Sequence, residues 1–127
     1  MGVAYFIVLD NKDPGFDTFV NGKAIARARE ALYAITEQLG LKGIDDLASF
    51  GELDDEFDVP EEFRETETPW FEPTQGIEWV DAVRRHIEAN PSSVKEPDRV
   101  LEDLNQYARV FQQAAKIGAK WHFQMDL

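Results

Sequence analysis

Lys120-Trp121-His122-Phe123-Gln124-Met125-Asp126-Leu127 is the stretch that decides the fold. Successive side chains of a strand point to opposite faces, which puts Trp121, Phe123, Met125 and Leu127 on one side and Lys120, His122, Gln124 and Asp126 on the other. The alternation predicts a closing strand with one buried face and sets His122 on its polar side. A strand of this kind needs a partner, and the other end of the chain supplies one. Val3-Ala4-Tyr5-Phe6-Ile7-Val8-Leu9 is apolar throughout and reads as a strand buried on both faces. The turn formers Asp10-Asn11-Lys12-Asp13-Pro14-Gly15 end it.

Helical periodicity fills most of what lies between. Asn21 can cap a helix from about Gly22 to Leu39, with Ile25, Ala28, Leu32, Ile35 and Leu39 on one stripe and Gly40 placed for a left-handed stop. Thr74 can cap a second helix reaching about Asn90, with Ile77, Val80, Val83 and Ile87 inward and Pro91 at its end. On its outer face Asp81 and Arg85 stand four apart in the stabilising order. Asp98 can cap a third helix with Leu101, Leu104, Ala108, Phe111 and Ala115 as its buried stripe, stopped at Gly118. The expectation is an α+β fold in which a small sheet pairs the N- and C-terminal strands. Three amphipathic helices cover it, and a long loop separates the first two. Two strands make a marginal sheet, which a third strand hidden in the loop, or a homodimer extending the sheet, would relieve. A chain of 127 residues is one domain's worth, so residues 1–127 are expected to share one core.

The long loop carries nearly all of the charge. Asp45 to Glu72 holds twelve carboxylates against one cation, Arg64, a charge of −11, while the rest of the chain has thirteen acids and twelve bases, or −1. Phe50, Phe57, Phe63, Trp70 and Phe71 are interleaved with the acids. A loop of this length is uncommon in a small domain and is a candidate for function. Short helical turns fit only around Asp45 to Phe50 and Glu61 to Glu65. Trp70 and Phe71 have two readings: a staple against the second helix, or an anchor at a partner interface, and one ring could serve each.

Composition removes several classes of activity. There is no cysteine, so disulfides, thiolate nucleophiles, zinc fingers and iron–sulfur clusters are excluded. An overall charge of −12 without a basic stripe argues against nucleic acid as a partner and favours basic proteins. The longest apolar run, Val3 to Leu9, is far short of the roughly twenty residues a membrane span needs, and no basic leader precedes it, so no membrane contact and a cytoplasmic location are expected. The eight glycines form no phosphate-binding motif, and no cofactor is expected.

The acidic stretch approaches a calcium-loop spacing. Asp54, Glu56, Asp58 and Glu65 fall at the first, third, fifth and twelfth positions of an EF-hand, but the sixth must be glycine and is Val59, held extended before Pro60. No tight calcium site is therefore expected and no metal ligand is named, which leaves a looser divalent-ion site open. His86, between Arg85 and Ile87, and His122 have no oriented nucleophile beside them and read as ordinary histidines. Carboxylates at glycosidase-like separations arise by chance among so many acids. No catalytic residue is named.

From Trp70 onward the chain resembles a group of small uncharacterised bacterial proteins. The likeness rests on Trp70-Phe71, Pro73, Gly76-Ile77 and Val80 opening a helix, then Val100-Leu101 and Asp103-Leu104, then Gly118 before Trp121-His122-Phe123. This resemblance implies a shared fold and no activity. In style the chain is also similar to acidic bacterial immunity proteins, which neutralise basic nuclease toxins by presenting carboxylates to their substrate-binding surface.

The functional expectation is a small bacterial binding protein that docks a basic protein partner. Asp54, Asp55, Glu56, Asp58, Glu61 and Glu62 would supply the field, and Phe57 or Trp70 the anchor. The alternatives are a carboxylate- or metal-dependent hydrolase using the same segment, and a structural or oligomeric protein whose loop confers solubility.

Overall fold

The structure, a computed structural model, describes residues 3–48 and 69–126. Strand β1 (Ala4–Leu9) and strand β2 (Trp121–Asp126) pair antiparallel, with Leu9 opposite Trp121, Ile7 opposite Phe123 and Tyr5 opposite Met125. The pairing brings the inward alternates of both strands to one face, where Tyr5, Ile7, Leu9, Trp121 and Phe123 are buried. Phe6 and Val8 of β1 are only half covered, because the helices lie on the other side; the strand is not buried equally on both faces.

The first helical stretch is two helices, α1 (Lys23–Arg27) and α2 (Arg29–Leu39), rather than one. Ala28 leaves helical geometry at φ −92°, ψ 11°. The two halves serve different neighbours: α1 packs against β1 and the last helix, α2 against the middle one. Ile25, Leu32 and Ile35 are buried as the periodicity predicts, whereas Leu39 stays exposed beside the left-handed Gly40. A short 3-10 turn, Ile44–Leu47, sets Ile44 and Leu47 into the core. It realises the first of the two turns expected in the acidic stretch; the second lies outside the described residues.

Helix α3 (Pro73–Ala89) starts one residue before Thr74, with Glu72 as its N-cap, because proline at the first helical position has no amide hydrogen to leave unsatisfied. Helix α4 (Pro97–Ile117) starts in the same way, ahead of Asp98. Its buried face is rotated from the expected stripe: Val100, Asp103, Leu104, Tyr107, Val110, Phe111 and Ala114 are inside, and Ala115 is exposed. Two polar groups draw the face round. The Tyr107 hydroxyl donates to the Tyr5 carbonyl over 2.7 Å, and Asp103 reaches the amides of α1. On α3 the ion pair falls between Arg84 and Asp81, at 2.7 Å, rather than between Arg85 and Asp81.

The aromatic centre of the core joins the helices to the sheet. Phe123 meets the rings of Trp79, Tyr107 and Phe111 at centroid distances of 5.8, 5.1 and 6.3 Å, and Trp121 meets Phe111 at 4.4 Å. Buried aromatic pairs add about 0.5–1.5 kcal/mol each beyond their area. The polar ends of both tryptophans are satisfied, Trp79 Nε1 donating to the Lys42 carbonyl and Trp121 Nε1 to that of Glu72, each over 2.9 Å.

Candidate functional site

The two ends of the acidic stretch are attached to one edge of β2. Ala48 bridges to Phe123, and Phe71 exchanges two backbone hydrogen bonds with Trp121, at 2.8 and 3.0 Å. These are odd positions of β2, whose backbone groups face away from β1. Among the described residues these contacts are single bridges beside the two strands; the stretch between them, where a third strand is expected from sequence, lies outside the described residues. Trp121 and Phe123 are two residues apart, about 7 Å along a strand, so Ala48 and Phe71 are held a short distance from one another.

Trp70 and Phe71, adjacent at the returning end, point to opposite destinations, as extended backbone requires. Phe71 is half-buried, with its ring 5.6 Å from that of Trp121. Trp70 stands outside on the imidazole of His122, ring centroids 4.7 Å apart, and keeps 39% of its surface exposed. That cover overturns the placement of His122 on a solvated face: the residue is 4% exposed. Its Nδ1 lies 3.0 Å from the Phe123 carbonyl oxygen, a hydrogen bond that places a proton on this nitrogen.

Of the twelve carboxylates in the stretch, Asp45, Asp46 and Glu72 belong to the described residues, and each has a partner. Asp46 accepts from the Gly43 amide over 3.1 Å, and Glu72 lies 3.7 Å from Lys120 Nζ. Asp45 is the centre of a network. Its Oδ1 accepts from the Tyr5 hydroxyl over 2.7 Å; its Oδ2 accepts from the Tyr33 hydroxyl and from Arg29, through Nε at 3.0 Å and through Nη2. Burial alone would raise the Asp45 carboxyl, but the hydrogen bonds from Tyr33, Tyr5 and Arg29 and the Arg29 charge outweigh it and hold the group below the usual carboxylate range. The same contacts push the phenols up. Tyr5 is raised by its burial and then by Asp45, and Tyr33 by its hydrogen bond to Asp45. Three of these hydrogen bonds fall on Oδ2 and one on Oδ1, and with the Arg29 charge they hold the carboxylate in place as an ionised acceptor. Its work is to tie the entry of the acidic stretch to β1 and α2.

Asp103 is a buried carboxylate, 3% exposed, whereas Asp45 is half-buried. Its Oδ2 accepts from the amides of Ala24 and Ile25 over 3.0 and 3.2 Å, capping α1 from a distant helix. Asn21, the cap expected from sequence, only accepts from the Lys23 amide over 3.3 Å, and the residue at the cap position is Gly22 in left-handed conformation. Burial pushes the Asp103 carboxyl up despite the amides of Ile25, Ala24 and Gly22.

Among the expected contact residues, the structure therefore places Trp70. Asp54, Asp55, Glu56, Phe57, Asp58, Glu61 and Glu62 lie outside the described residues, as do Val59, Pro60 and Glu65 of the calcium spacing. Among the described residues no three His, Asp or Glu side chains gather as a metal site would require, and no helix is long and apolar enough to cross a membrane. Sequence reasoning missed the Asp45 network and the Asp103 cap. A signal existed for the first: Tyr5 occupies an inward position of an apolar strand, and a buried phenol needs a partner. Neither a protein family, nor a curated protein, nor a solved structure matches the chain.

Proposed function

We propose that the protein is a small binding protein that docks a basic protein partner through the acidic segment 45–72, in the manner of bacterial immunity proteins. The observation that carries this reading is the concentration of −11 between Asp45 and Glu72 on a body of −1, together with the attachment of both ends of that stretch to the same edge of β2. Asp54, Asp55, Glu56, Asp58, Glu61 and Glu62 supply a field that steers a cationic surface. Trp70, exposed over His122, provides an aromatic anchor at the foot of the segment, with Phe57 as a second. Asp45 is excluded from this role by its four hydrogen bonds.

Affinity capture from the host supplies the partner, and stopped-flow association tests the reading. Changing Asp54, Asp55 and Asp58 to Asn and Glu56 to Gln should leave the melting transition intact. It should slow association by roughly tenfold or more at low salt and flatten its salt dependence. Trp70→Ala should act mainly on dissociation. Association of the neutralised variant at the wild-type rate in low salt would refute the proposal.

A further inference from the structure

We infer that the groove where α1 meets α2 receives the acidic segment of a second copy of this chain, so that the protein self-associates segment to groove. This rests on the reading of segment 45–72 as a docking element and names one surface that it fits.

The groove has a sequence cause. In Ala24-Ile25-Ala26-Arg27-Ala28-Arg29-Glu30-Ala31 every second residue of the first half is alanine, and the helix axis breaks at Ala28. Side chains that end at Cβ leave a hollow of about 660 Å³ floored by Ala24, Ala26, Ala28, Ala31 and, from α4, Val100. Arg27, Arg29, Lys95, Glu30 and Glu96 stand round it. A smaller hollow of about 280 Å³ shares Ala24 and Arg27 and adds Lys23 and Arg99, with Glu102 and Asp103.

These two hollows gather five of the twelve cations in the described residues. Arg29 is committed to Asp45, and Asp103 to the amides of α1. Arg27 and Arg99 share a single carboxylate, Glu96, at 3.5 and 3.4 Å, and all three side chains are well exposed. Such pairs contribute little and yield to a competing carboxylate. Among the described residues Lys23 and Lys95 form no ion pair. Four cations thus face Glu30, Glu96 and Glu102, a positive balance in a chain whose overall charge is −12. An apolar floor with a cationic rim calls for a ligand in which apolar groups alternate with carboxylates. The chain carries that pattern itself: Phe57, Val59 and Phe63 are set among Asp54, Asp55, Glu56, Asp58, Glu61 and Glu62.

Sedimentation of the full chain over a wide concentration range tests this. Association should be strongest near 0.1 M salt, where a screening length of about 10 Å hides the net repulsion between copies but spares contacts at the rim, and should be lost near 1 M, where it is about 3 Å. Arg27→Glu with Lys95→Glu removes the rim. The Asp54, Asp55, Glu56, Asp58 neutralisation removes the ligand. Each variant alone should sediment as a monomer with a wild-type melting transition, and an equimolar mixture should recover a heteromer, since one partner still has a segment and the other a groove. A wild type that stays monomeric at every concentration, variants that associate like wild type, or a mixture that stays monomeric each overturns the inference. The rim variant should still bind a captured basic partner normally. A monomeric wild type that binds such a partner overturns only the groove, whereas loss of partner steering is read separately from the neutralised segment.

Discussion

Replacing Asp103 by alanine should be among the most damaging single changes in the protein, although among the described residues it forms no ion pair. Its carboxylate is the acceptor for the Ala24 and Ile25 amides, and both residues are buried, so water can reach them only by way of the smaller hollow that Asp103 lines. Each orphaned amide costs about 1–3 kcal/mol, giving about 2–6 for the pair. The raised carboxyl shows that the buried charge is itself held at a cost, which alanine relieves, so the net loss is about 2–4 kcal/mol. For a domain of this size a loss of 1 kcal/mol lowers the melting temperature by roughly 4 °C, and Asp103→Ala should lower it by about 8–16 °C. Asp103→Asn keeps an acceptor oxygen at the same place without the desolvated charge, and should lose less than about 1.5 kcal/mol. Chemical denaturation of the three proteins in parallel measures both differences. If alanine is as stable as wild type, or asparagine as damaging as alanine, the account of α1 as a helix capped by Asp103 fails.

Alkaline titration should reveal no ordinary phenol in the folded protein, because all three tyrosines are raised: Tyr5 by burial and then Asp45, Tyr33 by Asp45, Tyr107 by burial. In the unfolded chain they ionise near pH 10. The folded state holds them neutral, so the stability they contribute is fully present below about pH 10 and is lost as pH rises above it. Phenolate absorbance should therefore appear only above the ordinary range, that of the buried Tyr5 and Tyr107 together with unfolding, and a phenol titrating near 10 in the native protein would count against the network. Gly22→Ala should cost about 3 kcal/mol or more, since its Cβ would sit 2.0 Å from the Tyr5 carbonyl oxygen at φ 68°. Gly40→Ala, at φ 70° with no atom within 4 Å, should cost only about 1 kcal/mol, and equal losses at the two sites would refute the close approach.

Local periodicity and composition were enough to locate both strands, the helices and the candidate surface. Alternation in Trp121 to Leu127 and the apolar run from Val3 marked both strands, three- and four-residue spacing marked the helices, and the charge between Asp45 and Glu72 marked the candidate surface. These are one-dimensional signals, because a strand or helix repeats its faces along the chain. Tertiary structure alone decided what depends on residues far apart in sequence. Asp103 caps a helix 79 positions away, Tyr5 meets Asp45 across 40, and Tyr107 meets the Tyr5 carbonyl across 102. His122 occupies a polar position of its strand and is nevertheless buried, because Trp70 is brought over it by the pairing of Phe71 with Trp121. The break at Ala28 has the same origin: the local sequence favours a continuous helix, while α1 and α2 pack on different neighbours, and packing outweighs the few tenths of a kcal/mol per residue that helix propensity supplies.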